Sequence, residues 1–218
     1  MALLFLLAKS LFAQESKTGN WLIYFGNQPL TSKLNVWNEV QYRNYNTFGD
    51  LQQLLLRTGL GYNLTPQNNN VLLGYGYILG ETYINKTQKK ESSEHRIFQQ
   101  FLTKQSVLNC QLTHRYRMEQ RFSESQFKPR FRYFLSLNIP LNQKELKKNC
   151  LYLSAYNEIF IQNRGTYFDR NRVYGAMGYY LHDLLKLEIG LMNQTTLKES
   201  RNQFQIALFN QIPFKKTR

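Results

Sequence analysis

The sequence predicts an all-β fold: a closed antiparallel transmembrane β-barrel of about ten strands, with twelve as the alternative. Its exterior is apolar and faces lipid, and its lumen is polar. Three observations carry this expectation. Segments of about ten residues alternate apolar and polar side chains with period two, and polar turns close them. The polar parity is drawn mainly from Arg, Glu, Gln, Asn and Gly, which is not the Ser, Thr, Lys and Glu mixture of a wetted sheet face. The chain also opens on a short apolar run, "MALLFLLAKSLFAQES", of the kind that directs export.

Residues 1–13 are expected to be a signal peptide cleaved after Ala13, leaving 14–218 as a single barrel domain. The signal is irregular: no basic residue precedes the apolar run, Lys9 interrupts it, and Leu11 stands three residues before the cleavage point. A buried N-terminal strand or helix is the alternative. Residue 14 is Gln, so no lipoprotein anchor is indicated. No later stretch approaches the roughly 18 apolar residues of a membrane helix.

The first candidate strand is short, "NWLIYF" (20–25). "KLNVWNEVQYRNY" (33–45) sets Leu34, Val36, Val40 and Tyr42 against Asn35, Trp37, Glu39, Gln41 and Arg43. "LQQLLLRTGLGYNL" (51–64) sets Leu54, Leu56, Leu60 and Tyr62 against Gln53, Arg57, Gly59 and Gly61. In "VLLGYGYILGETY" (71–83), Val71, Leu73, Tyr75 and Tyr77 oppose Gly74, Gly76 and Gly80. "EHRIFQQFLTKQ" (94–105) alternates least clearly. "HRYRMEQRF" (114–122) places Arg115, Arg117, Glu119 and Arg121 on one parity. "RFRYFLSLNIP" (130–140) and "LYLSAYNEIFI" (151–161) follow, then 172–181, 185–194 and 202–212. A helix would smear these sets round its axis, whereas a strand separates them. Lys-rich runs at Lys89 and Lys90, Lys147 and Lys148, and Lys215 and Lys216 fall in turns or the tail and read as solvated.

A soluble sandwich would have to bury both apolar faces. An outer-membrane barrel turns that face to lipid and closes the polar face round a lumen. By parity the lumen then holds Glu39, Arg43, Arg57, Glu94, Arg96, Arg115, Arg117, Glu119, Arg121, Arg130, Arg132, Glu158, Arg172 and Glu188. A buried ion without a partner costs several kcal/mol or more, so these five Glu and nine Arg are expected to share a network. Gly59, Gly61, Gly74 and Gly76 would leave room for long Arg side chains.

"NWLIYF", "WNEVQYRNY", "LLLRTGLGYNL", "EHRIFQQF", "HRYRMEQRF", "RFRYFLSLNIPLN", "YNEIFI", "DRNRVYGAMGYYL" and "LEIGLMNQ", in this order, resemble the outer-membrane barrel family catalogued as domain of unknown function 2490. The resemblance runs from about Asn20 to the C-terminus. It implies a small barrel in a Gram-negative outer membrane. It implies no established activity and supplies no catalytic residues.

Ten long segments and one short one make eleven, whereas bacterial single-chain barrels favour even numbers. The expectation is therefore a wall of ten strands. The Trp21 segment would cover an edge, enter the lumen, or pair with a further strand to make twelve.

No HExxH, CxxC, GxSxG or phosphate-binding loop is present, and no cofactor, metal site or catalytic residue is expected. His95 beside Ser92 or Ser93 is the nearest pairing a lipid hydrolase could use, without an evident orienting acid. A net charge of +14 raises nucleic-acid binding, but the Arg residues are spread over many strands and share parity with Glu. The expected partner is outer-membrane lipid, with no nucleic acid. An unidentified protein partner is left open, and the chain itself is expected to be a monomer. The role expected is structural or in interaction, with the lumen plugged. A narrow anion-preferring pore is the alternative, and lipid hydrolysis a weaker one. Cys110 and Cys150 are expected not to bond. One strand separates theirs, two steps span roughly 9–10 Å, and a disulfide needs Cα atoms within about 7 Å.

Overall fold

In a computed structural model, residues 18–66, 68–124, 126–163 and 166–214 are described. The proposed signal peptide and the last lysines lie outside them. Eleven strands run in chain order: β1 (Gly19–Pro29), β2 (Leu34–Asn44), β3 (Leu51–Asn63), β4 (Asn69–Tyr83), β5 (Lys89–Val107), β6 (Cys110–Ser123), β7 (Gln126–Pro140), β8 (Leu151–Gln162), β9 (Phe168–His182), β10 (Leu185–Thr195) and β11 (Ser200–Asn210). Each pairs antiparallel with its neighbours in sequence, and β1 closes the barrel against β11.

The expected count of ten, or twelve, is corrected to eleven. The Trp21 segment neither covers an edge nor enters the lumen; it is a wall strand of eleven residues. Its inward side chains, Trp21, Ile23 and Phe25, are apolar, as are its outward Leu22 and Tyr24 in their ring or aliphatic parts. It therefore lacks the polar–apolar contrast that marks the other strands. An antiparallel meander with an odd number of strands brings its first and last strands together in the same direction. β1 and β11 accordingly pair in parallel, from Gly19 opposite Gln203 to Gly26 opposite Asn210. One consequence is that the two ends of the wall lie at opposite mouths.

The wall is inverted relative to a water-soluble core. Outward Leu60, Leu73, Val173 and Leu191 are 54–62% exposed, while inward Glu119 is 0% exposed. Two apolar recesses mark the outer face. One, of 740 Å³, lies among Leu60, Leu73, Phe101, Met118 and Phe131. The other, of 570 Å³, lies among Ile139, Leu153, Met177 and Leu191. Tyr116 and Tyr133 pack together on the outside, with ring centroids 5.1 Å apart.

Several strands are longer than the alternation alone indicated. β5 starts at Lys89, not near Glu94, and β9 starts at Phe168, not at Arg172. The β4–β5 hairpin passes beyond both neighbours. β3 stops pairing with β4 at Gly80, β6 stops pairing with β5 at Glu94, and Glu81 to Lys89 continue past them.

Candidate functional site

The lumen-facing set converges on two carboxylates. Glu119 of β6 is fully buried. Its Oε2 accepts from Arg130 Nη2 at 2.6 Å and from Nε at 3.0 Å, and its Oε1 accepts from Arg132 Nη1 at 2.6 Å. Glu158 of β8 accepts from the other edge of Arg132, Nη2 at 2.6 Å and Nε at 3.1 Å, and from Arg115 Nη2 at 2.8 Å. Arg172 Nη1 stands 3.5 Å from Glu158 Oε2. Arg132 on β7 thus bridges carboxylates on both neighbouring strands. The strand register explains this: Arg132 sits opposite Arg117 on one side and Phe160 on the other, one inward position from each Glu. Charge-assisted bonds of this length are the strong ones, and each oxygen has a partner.

Smaller groups surround this centre. Glu39 pairs with Arg57 at 3.2 Å and accepts from Gln41. Glu94 holds Arg121 at 2.7 Å and also pairs with Arg96. Arg117 donates to Gln100 at 2.6 and 3.0 Å, and lies only 3.8 Å from Glu119. Its guanidinium also lies over Phe98 at 4.4 Å and over Trp37 of β2 at 5.1 Å. β2 and β6 are four strands apart in the wall, so this contact crosses the bore. Glu188 stands apart from the arginines; it accepts from Tyr152 at 2.7 Å and from Lys186 at 3.1 Å. Arg43 has amide partners instead of a carboxylate, Gln41 and Gln53, and stacks 3.6 Å from the Trp21 ring.

Sequence reasoning missed several members. Asp169 accepts from Arg130 at 3.1 Å, and Arg170 pairs with Asp169. Both precede the segment read from Arg172; extending its alternation two residues upstream would have recovered Arg170. Lys186 shares parity with Glu188 and was recoverable from "LKLE". Phe160 was less legible: the guanidiniums of Arg130, Arg132 and Arg172 all lie 4.6–5.1 Å from its ring. Glycine spacing is only partly for arginine. A Cβ at Gly76 would meet Arg57 Cγ at 3.0 Å, but at Gly74 it would run into the Phe98 ring.

The histidines are engaged locally. His95 Nδ1 is 2.6 Å from Tyr75 Oη, and His114 Nδ1 is 2.8 Å from Tyr133 Oη. Ser92 shares the lumen parity and donates to the Gly80 carbonyl at 3.4 Å, so it does not meet His95. Among the described residues no group of three or more His, Cys, Asp or Glu could hold a metal ion. Cys110 and Cys150 are both free. Cys150 is buried inside the barrel, whereas Cys110 shares the outward parity of Leu112 and Met118.

Lys89, expected in a solvated turn, instead ties the overhanging hairpin to the β2–β3 turn. Its Nζ lies 2.6 Å from Asp50 and 2.9 Å from Glu81, and donates to the Leu51 carbonyl at 2.7 Å. Burial opposes its charge, but hydrogen bonds and attraction from the two carboxylates outweigh that and hold the ammonium above the ordinary lysine range.

The arrangement is thus a lumen crossed by its own charged and aromatic side chains, with no assembled nucleophile among the described residues. Comparison with curated proteins and with solved structures gave no significant match. One family model does match, over residues 18–205, which takes in every strand from β1 to β10 and the first half of β11. The chain belongs to that family, described as protein of unknown function DUF2490.

Proposed function

We propose that this chain is an outer-membrane β-barrel of a Gram-negative bacterium, plugged by its own Arg/Glu network, with a structural or interaction role. The inversion of the wall carries the reading: charge and amides are buried inside while Leu, Val, Ile, Met and aromatic side chains are exposed outside. A closed barrel satisfies its backbone hydrogen bonds without water, which lets such a surface sit in lipid. Outer-membrane lipid is then its partner and a monomer its state. Nucleic acid is not assigned as a partner, because most of the arginines point inward. No catalysis is assigned, since His95 is committed to Tyr75 and not to a serine.

A second reading has its own support. The buried charges of the described lumen are seven arginines against four glutamates, a bias that would favour anions in a narrow pore. Arg117 reaching Trp37 across the bore favours the plug. Single-channel recording of refolded protein in a planar bilayer separates the two. No steady conductance is expected; an anion-selective open level would replace the plug by the pore. Heat-modifiable migration and a β-dominated circular dichroism spectrum test the barrel itself, and recovery as a helical or cytoplasmic protein would end both readings.

A further inference from the structure

We propose that the lumen binds one small anion of the chloride class beside Trp21 and Arg43. The first observation is the imbalance of buried charge. Arginine keeps its proton even when buried, so the interior cannot relieve an excess of guanidinium by deprotonation. Of the seven buried arginines, Arg43 is the one with no carboxylate within 4 Å among the described residues; its hydrogen bonds run to neutral amides, Gln41 and Gln53.

The second observation is independent of charge. Buried N–H and O–H groups without a partner among the described residues gather around the same ring. The Trp21 indole Nε1 has none, although Trp21 is 3% exposed. Nor does Nε2 of Gln205, which is 3% exposed and is the register partner of Trp21 across the β1–β11 seam. Tyr174 Oη, in the same packed cluster as Trp21, is the third. An unmet buried donor costs about 1–3 kcal/mol, so three on residues that pair or pack with Trp21 point to an acceptor there.

The third observation is the electrostatic frame. Arg43 lies over the Trp21 ring at 3.6 Å and Arg172 at 5.0 Å, so two guanidiniums flank one indole. Arg172 has only a 3.5 Å approach to Glu158 and a 2.9 Å bond to Gln194. An acceptor here is attracted by both cations and can take the indole N–H and the amide N–H. A carboxylate side chain would serve, but none of the described residues places one within 4 Å of Arg43. A compact anion does the same without displacing the packed Ile23, Met192 and Ala207.

Trp21 itself supplies the readout, because the chain has only two tryptophans. In a Trp37→Phe variant, refolded and checked for heat-modifiable migration, its fluorescence is titrated with bromide at constant ionic strength set by a large organic anion. Saturable quenching that chloride competes away is expected. Arg43→Gln should abolish the saturable phase. Since that variant also loses a stacked cation, Gln205→Glu gives an independent check. It places a carboxylate at the site, and should remove both saturable quenching and any chloride dependence of the unfolding temperature. Quenching linear in bromide and indifferent to chloride would mean that water satisfies these donors, and overturns the proposal. Competition by phosphate but not by chloride would overturn the assignment to a halide-sized ion.

Discussion

The two sides of the lumen are built on opposite principles. On β2, β3 and β5 to β8 the inward positions carry most of the buried charge, and Glu119 and Glu158 are each held by several arginines. Across β1 and β9 to β11 an aromatic and aliphatic cluster of Trp21, Ile23, Tyr174, Met192 and Ala207 fills the interior beside Arg172 and Glu188, with Phe25 stacked on Phe209 at 4.9 Å. The ionic side is directional, since each bond depends on one geometry and the loss of a partner leaves a buried charge. The apolar side is not, and its contacts depend on volume. The apolar side is also where the barrel closes in parallel, a pairing slightly weaker per residue than antiparallel pairing. Close packing across the seam supplies cohesion that the ladder there provides less of.

Breaking each side should therefore look different. Glu119→Ala removes the acceptor shared by Arg130 and Arg132, and the expected loss of stability is about 3–5 kcal/mol. Urea unfolding of the refolded barrel measures it. An unchanged midpoint would show that the network is wet and weakly coupled. On the apolar side, Met192→Ala is expected to cost about 2–5 kcal/mol through transfer and cavity terms, and Met192→Leu, nearly volume-conserving, below about 1.5 kcal/mol. A Leu substitution as damaging as Ala would show that shape and not volume governs this side.

The seam can be sharpened directly. Leu22 and Ile206 are register partners on the outer face of the parallel pair. With Cys110 and Cys150 replaced by Ser, Leu22→Cys together with Ile206→Cys is expected to cross-link on oxidation. A closed loop of that length would raise stability by about 2–4 kcal/mol. Absence of the cross-link, in a barrel that still folds, would contradict the eleven-stranded closure.

The smallest effect belongs to the rim. Lys89→Met is expected to cost no more than about 1 kcal/mol, because the group is partly exposed. The sign with pH follows from its raised folded pKa. The contribution of Lys89 is complete below the ordinary lysine range and is lost as pH rises through the folded value. Unfolding of the unsubstituted chain and of the Lys89→Met variant, followed in parallel across that range, checks it. A stability gap between the two that widened with rising pH would reverse the assignment.

Legibility in the sequence followed the same division. The ionic side was readable because alternation there separates Arg and Glu from Leu and Tyr: "HRYRMEQRF" declares its inward face residue by residue. β1 was read as a fragment because Trp21, Ile23 and Phe25 point inward while Leu22 and Tyr24 point outward. With apolar groups on both parities, the period carries no contrast. Asp169 and Arg170 were hidden for another reason, since "TYFDR" runs from loop residues at its start into the strand that begins at Phe168.

By itself the sequence determined the β class, the two-residue alternation that separates Arg and Glu from Leu and Tyr, and the separation of the two cysteines. All three follow from the two-residue period of a strand, which acts locally. Tertiary structure decided the rest. The number of wall strands depends on which ends meet, and β1 meets β11 only through parallel pairing. Which arginine serves which glutamate depends on register and on reach across the bore, so Arg132 bridges Glu119 and Glu158 while Arg43 is left with amides beside Trp21. Both are distances between residues far apart in the chain, and a local period contains no such distance.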